Sequence, residues 1–395
     1  MPTPDPDPGP SRAVTPARIA VVSAGVGAGH DGAAAGLAQR LTAHGFLVDR
    51  HDLLDLMPAG TGRLLAGSYR SLLAWAPDGY QRLYTATDRA TARPGVLRPS
   101  LRRGTERRLL RALPPDTRAV VSTYPGASQV LGAMRLRGDL AVPVVTFLTD
   151  FSVHAMWVAP GVDAHLAVHA VPAAQAHARG ACAVSVVGPA TDLRFAPATP
   201  AQRDTARARF GLPADAPLAL LVAGSWGVGP VRRAAAEIGA TGAAVPVVVC
   251  GRNRGLAERL RREGVPHVFG WVDDVPALMR ACDVLVQNAG GLTSLEAFAG
   301  GLPVLSYRCI PGHGRTNAEA LEEAGLAAWV RTPDALGGTL DALLHGPRGR
   351  AQRAAGLALH RAAPGPVPVI AARAGLTPAA APPPPRPLVL DGDPR

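Results

Sequence analysis

The chain contains no lysine; all 41 of its basic residues are arginine. Any grip on an anion must therefore come from guanidinium groups, backbone amides or helix ends. Aromatic residues make up only 4% of the chain, so Leu, Val and Ala must fill the cores. Cysteine is scarce. Cys182, Cys250, Cys282 and Cys309 form no C-x-x-C pair, which argues against a zinc site or disulfide framework and predicts single buried thiols. No apolar run reaches about 18 residues, so no transmembrane span is expected. The N-terminus lacks a basic stretch followed by an apolar run, so no secretory signal is expected. These absences point to a cytoplasmic protein that is soluble or held at the inner face of the plasma membrane.

What is present favours an anionic partner. The chain has 395 residues, 47% hydrophobic, with a net charge of +11. That length predicts two domains. The charge is uneven: between Arg70 and Arg111 ten arginines oppose Asp78, Asp88 and Glu106. Such a segment suits a nucleic acid, an anionic membrane surface or a phosphorylated ligand. No nucleic-acid recognition motif accompanies it, so nucleic acid is not an expected partner.

Strands and helices alternate along the chain. Apolar strands are expected at 18–23, 46–50, 118–122, 143–148, 164–168 and 183–187, then at 217–223, 245–250, 266–269, 283–286 and 303–306. Helical stretches such as 31–43, 230–239, 255–263, 274–280 and 292–299 separate them. The pattern predicts an α/β protein with two Rossmann-like parallel-sheet domains facing a central cleft. The expected boundaries are a disordered segment 1–16, a first domain 17–190, a hinge 191–200, a second domain 201–362 and a Pro-rich tail 363–395 containing Pro382 to Pro385. Sheets of this kind bind ligands beyond the carboxyl ends of their strands.

Several loops at such ends carry chemistry. The first strand runs into Gly25-Val-Gly27-Ala-Gly29-His30. The glycines allow close backbone approach to a ligand, and His30 can move a proton near neutral pH. The dinucleotide fingerprint G-x-G-x-x-G is not met, which makes a nicotinamide-dependent oxidoreductase the weaker reading. In the second half, Gly224-Ser225-Trp226-Gly227-Val-Gly229 precedes a helix and can hold a diphosphate, with Arg252 as a possible cation for the same phosphates. The backbone around Gly270, Trp271 and Val272 can pair with a flat base edge. In Asn288-Ala-Gly290-Gly291-Leu292-Thr293-Ser-Leu-Glu296, glycine amides and a helix start suit phosphate, and a carboxylate suits paired ribose hydroxyls. The polar loop Pro311-Gly312-His313-Gly314-Arg315-Thr316-Asn317 suits a sugar. A tight turn, an exposed acid and a surface loop are the structural alternatives for these three stretches.

Taken together, these stretches resemble the GT-B glycosyltransferases that include monogalactosyldiacylglycerol synthase and the bacterial processive diacylglycerol glucosyltransferases. Thr149-Asp150-x-x-x-His154-x-x-Trp157 is similar to the T-D-x-x-x-H-x-x-W region of that family. Residues 288–317 are similar to its A-G-x-x-T-x-x-E-A…G-L-P…P-G…N stretch. The resemblance covers roughly residues 18–345. It implies a GT-B fold and inverting, metal-independent transfer of a hexose from a nucleotide sugar, most often a UDP sugar in the family, to a lipid such as diacylglycerol. It implies His30 as general base. Gly27, Gly29, Asp150, His154 and Trp157 would lie at the acceptor. Gly224, Ser225, Gly227, Arg252, Trp271, Val272, Gly290, Gly291, Leu292, Thr293, Glu296, Pro311, His313 and Asn317 would hold the donor, with Glu296 on the ribose. No cofactor beyond the donor is expected. The basic segment 70–111 takes the place of the family's membrane-docking region, with Leu72, Leu73, Trp75, Tyr80, Leu83 and Tyr84 available for the interface.

The chain departs from the family in its sugar loop, where His313 and Gly314 stand for Gln and Glu. The usual G-G-G-H becomes Gly27-Ala28-Gly29-His30, and Asn288 stands where many relatives have lysine. Three further readings stay open at this stage: a transferase acting on a soluble natural product, a sugar-nucleotide 2-epimerase of the same fold, and a non-catalytic nucleotide-sugar sensor.

Overall fold

The computed structural model describes residues 16–89 and 99–380. Residues 1–15 of the expected disordered segment 1–16, the prolines 382–385, and Arg93 and Arg98 of the basic segment lie outside these residues. Twelve strands form two parallel six-stranded sheets among the described residues. The first sheet contains β1 (Arg18–Ser23), β2 (Leu47–Asp52), β3 (Thr117–Ser122), β4 (Val144–Phe147), β5 (Ala164–Ala167) and β6 (Val184–Val186), in the order β2-β1-β3-β4-β5-β6. The second contains β7 (Leu218–Val222), β8 (Val245–Val249), β9 (His267–Phe269), β10 (Val284–Gln287), β11 (Val304–Tyr307) and β12 (Ala327–Val330), in the order β12-β11-β10-β7-β8-β9. Central strands such as β1, β4 and β10 are apolar on both faces and buried along nearly all of their length, because helices cover both sides of a parallel sheet.

Eleven of these strands lie where the apolar runs predict them. The twelfth, Ala327-Ala-Trp-Val330, has little β-branched character; its pairing with β11 makes it a strand. The first helix spans Ala28–Ala43, three residues earlier than its alanine run indicates. Gly27, at φ 122° and ψ 163°, makes that early start possible, since an L side chain there would be strained.

The chain passes between the domains twice. The first crossing follows β6 and ends where Thr199 caps the helix Pro200–Phe210 in a full capping box. The second follows the helix Pro347–Arg361. Residues 363–380 are not a loose tail, contrary to the composition. Val367, Ile370 and Ala371 of the helix Pro366–Arg373 are buried in the main core, Gly188 N–H donates to the Pro364 carbonyl, and Ala379 N–H donates to His44. Proline there starts a helix at its first positions, where no N–H is needed. One apolar cluster runs from Ile19 and Leu37 through Val187 and Ala190 to Leu295, Phe298 and Val304, so the two halves share packed surface near the crossings. Of the thiols, Cys250 and Cys282 are buried, but Cys182 is exposed, unlike the expected single buried thiols. Among the described residues, no helix is long and apolar enough to cross a membrane.

Candidate active site

Strand order decides which loops meet. In the first sheet β1, β3 and β4 are neighbours, so the loops that follow them converge on His30. His30 stands in the first turn of the helix Ala28–Ala43. Its Nδ1 lies 2.9 Å from the Thr123 carbonyl oxygen and 2.9 Å from Thr149 Oγ1. A carbonyl can only accept, so Nδ1 carries the ring proton and Nε2 keeps its lone pair. Tyr124 packs edge-on against the ring at 5.2 Å between centroids, and Trp157 lies at 5.9 Å. Trp157 is almost wholly buried and donates Nε1–H to Asp150 Oδ2 at 3.2 Å. This is the arrangement of an oriented base with a free basic nitrogen.

In the second sheet β10, β7 and β8 are neighbours, and their loops form the opposing wall. Gly224, Gly227 and Gly229 all have positive φ. Arg252 N–H donates to the Ser225 carbonyl, and Asn253 donates to Gly227. Asn288 donates Nδ2–H to the Val228 carbonyl at 3.0 Å and packs on Gly229, where a Cβ would come within 2.6 Å of it. The residue at the relatives' lysine position thus braces two glycine loops. The helix Leu292–Ala299 begins without a side-chain cap. Its first turn faces the other domain: Leu292 packs on Gly29 and Gly32, and a Cβ on Gly291 would lie 3.8 Å from Asp150 Oδ1. Uncapped N–H groups beside glycine turns suit a diphosphate.

Glu296, one turn on, has no hydrogen-bond partner among the described side chains. It is half-buried between the domains; desolvation there, with Asp192 adding repulsion, pushes its carboxyl up to about 8. Thr293 sits on the same helix, half-buried. Arg252 lies over the Trp271 ring at 4.3 Å, and Trp271 donates Nε1–H to Asp273. Arg252 therefore stands at an exposed aromatic edge, stacked on the segment expected to read a base. Val272 packs against the core.

The structure redirects several expected contacts. Asn317 is fully buried and spends its amide inside the protein. Its Oδ1 accepts from Ser152 N–H at 2.7 Å and Ser152 Oγ at 3.0 Å; its Nδ2 donates to Ala289 O at 2.9 Å and Asp150 Oδ1 at 3.3 Å. It joins the two domains and has no group left for a sugar. The Leu292 side chain likewise fills an interdomain slot. His154 is committed at both nitrogens: Nδ1 accepts from Met156 N–H, and Nε2 lies 3.0 Å from the Tyr84 carbonyl and 3.2 Å from Thr87 Oγ1. It holds the helix Pro77–Arg89 in place and has no free nitrogen for an acceptor. Trp157 supports His30 from below.

Tyr80 and Tyr84, expected at a membrane, face inward instead. Tyr80 Oη lies 2.9 Å from His313 Nδ1, Tyr84 Oη lies 3.2 Å from Thr316 Oγ1, and Gln81 Oε1 accepts from Gly312 N–H at 2.8 Å. Leu73 is buried and Leu72 half-buried, whereas Trp75 is 88% exposed, Leu64 71% and Leu83 53%. Pro311 leads into the loop that these contacts hold.

The residues that sequence reasoning missed are Thr123, Tyr124, Ser152, Tyr69 and Gln81. One signal was available: three of the chain's five tyrosines fall between positions 69 and 84.

Comparison with known proteins bears on the family and the fold. The family model described as monogalactosyldiacylglycerol (MGDG) synthase matches residues 30–187, and that described as glycosyl transferases group 1 matches residues 230–356. A processive diacylglycerol beta-glucosyltransferase of Bacillus cereus is 28% identical over 248 residues, and one of Bacillus thuringiensis is 29% identical over 248 residues. Each alignment covers 60% of this chain and 61% of the relative, so the match spans about three fifths of those relatives' length. Among solved structures, LpCGTa in complex with UDP has a TM-score of 0.55 at 16% identity, covering 92% of this chain and 100% of the other. Acinetobacter baumannii MurG has a TM-score of 0.53 at 15% identity, covering 90% and 99%. These two establish the fold. With two parallel sheets and both family models in successive halves, the chain is a GT-B glycosyltransferase whose first half is similar to monogalactosyldiacylglycerol synthase.

Proposed function

We propose that this protein transfers a hexose from a UDP sugar to the hydroxyl of a lipid, diacylglycerol, at an anionic membrane surface, with inversion at the anomeric carbon. The observation that carries the reading is His30, fixed by the Thr123 carbonyl so that Nε2 is free, opposite the uncapped start of the helix Leu292–Ala299. In the reaction Nε2 takes the acceptor proton as the acceptor oxygen bonds to the anomeric carbon. The bond from that carbon to the diphosphate oxygen breaks, and UDP leaves with the electron pair. The helix start and the glycine amides at 224–229 and 290–291 stabilise the charge that develops on the leaving diphosphate. Glu296 accepts from the ribose hydroxyls.

The relatives' names motivate the lipid acceptor, and the outer face of the helices Thr61–Trp75 and Pro77–Arg89 supports it. There Leu64, Trp75 and Leu83 are exposed, as are Arg63, Arg70, Arg82 and Arg89. Exposed apolar side chains among arginines suit an anionic bilayer, each arginine contributing about 1 kcal/mol near the surface.

The test is to incubate the protein with anionic vesicles containing diacylglycerol and a panel of nucleotide sugars, reading UDP release and lipid mass. A hexosylated lipid that His30→Ala reduces about 10²–10⁴-fold, with UDP affinity retained, is the expected result. Turnover on a soluble aglycone in place of lipid would assign a natural-product acceptor. UDP binding without turnover of any donor would assign a sensor.

A further inference from the structure

The helix Pro77–Arg89 buries only one residue, Tyr80, which is 6% exposed. Tyr80 is buried against the opposite domain. Its hydroxyl meets His313 Nδ1 at 2.9 Å, and behind it Tyr69 Oη stands at 3.4 Å. Gly312, at φ 67°, lies so close that a Cβ would come within 2.6 Å of Tyr80 Cε1 and 2.9 Å of Tyr84 Cγ. Gln81 accepts from the Gly312 amide, and Tyr84 reaches Thr316. Three consecutive features of the sugar loop (its glycine, its histidine and its threonine) are thus gripped by one helix of the acceptor domain.

We propose that Tyr80, assisted by Gln81, is a positioning residue of the donor-sugar subsite, so that this subsite is assembled from both domains. The inference rests on the nucleotide-sugar reading above. Burial holds the Tyr80 hydroxyl in its protonated form and lowers the His313 pKa, which keeps that imidazole neutral. With Tyr80 O–H donating to Nδ1, the ring proton of His313 sits on Nε2, a nitrogen with no hydrogen-bond partner among the described residues. Nε2–H is then a donor of defined direction for a sugar hydroxyl. Without the Tyr80 hydroxyl, the ring can turn and can change tautomer. Tyr80 itself does not touch the glycine loops, Glu296 or Trp271; its one link to them is Tyr69, which packs on both Tyr80 and Trp226, and Tyr80→Phe keeps that ring contact.

Isothermal titration of the full chain with UDP, UDP-glucose and UDP-galactose separates the possibilities. For Tyr80→Phe, we expect the Kd of the sugar the wild type prefers to rise about three- to tenfold, while the Kd of UDP stays within about twofold. Gln81→Ala should produce the same split through a different contact. Adding Tyr80→Phe to His313→Ala should produce no further loss, because the two act on one interaction. Equal weakening of UDP and UDP-hexose in both variants would overturn the proposal and reduce the contact to domain packing. No change in either ligand would overturn it too. If the wild type binds neither UDP nor a UDP-hexose, the nucleotide-sugar reading itself falls, an outcome distinct from failure of the Tyr80 split alone.

Discussion

Glu296 is the residue whose chemistry and surroundings disagree most. A carboxyl with no internal partner, pushed up to about 8 by burial and by Asp192, is costly to the ligand-free protein. Its pKa is raised on folding, so its contribution favours the fold at low pH and is lost as pH rises from the ordinary carboxylate range through about 8. Glu296→Gln should therefore raise the thermal midpoint of the ligand-free protein, more at pH 9 than at pH 5, in a scanning calorimeter. The same substitution should weaken UDP binding. In the wild type UDP should bind more tightly as pH rises through about 8, because accepting from two ribose hydroxyls requires the carboxylate; Glu296→Gln should flatten that dependence. A rise in stability without loss of UDP affinity would remove Glu296 from the donor site. Its position in the motif was legible in the sequence. Its burial was not, because Asp192 lies on the hinge, more than a hundred residues away along the chain.

At the level of elements, the loop 312–317 is one of the points where the two domains are fastened. Asn317 bridges Asp150, Ser152 and Ala289 through four hydrogen bonds in a fully buried setting. Removing it leaves the Ser152 N–H and the Ala289 carbonyl without these partners, and Asn317→Ala should cost about 1–3 kcal/mol in urea unfolding. Asn317→Asp can still accept from Ser152, but it places a second carboxylate against Asp150. Its destabilisation should grow as pH rises from 4 to 8, whereas that of Asn317→Ala should not. A flat profile for the aspartate variant would mean that the bridge opens in solution. The conversion of expected donor and acceptor contacts into fasteners also explains where sequence reasoning stopped. His154, Leu292 and Asn317 are polar or apolar residues in the right motif, but a motif does not say whether a side chain is already satisfied. The strands were legible because Val-rich runs between glycine turns admit little else. β12 was not, because its residues become a strand only by lying beside β11.

For the whole molecule, the helices Thr61–Trp75 and Pro77–Arg89 carry two faces with different tasks. Leu64, Trp75 and Leu83 are exposed on these helices, and Tyr80 and Gln81 on the inner face hold the loop 312–317. If the outer face docks on lipid, Trp75→Ala combined with Leu83→Ala should weaken binding to anionic vesicles about tenfold or more in a sedimentation assay. Raising salt should weaken the wild type as well, since the arginine contribution is screened over about 10 Å at 0.1 M. UDP affinity in solution should be unchanged. Vesicle binding that ignores both the substitutions and salt would place the docking surface elsewhere.

By itself the sequence determined the alternation of strand and helix, the two halves, the glycine turns at strand ends and the placement of His30 and Glu296 beside them. Each of these depends on local chemistry: apolar period, β-branching and positive φ. Only the tertiary structure decided which loops became neighbours, because parallel strand order is set by crossovers that span tens of residues. It alone brought Thr123 and Thr149 to Nδ1 of His30 and so chose its tautomer. It alone turned Tyr80 and Tyr84 inward, since whether an aromatic on an amphipathic helix meets lipid or protein depends on what stands opposite. It also folded residues 363–380 back onto the first domain, where burial of Val367 and Ile370 outweighs a composition that otherwise reads as a loose tail.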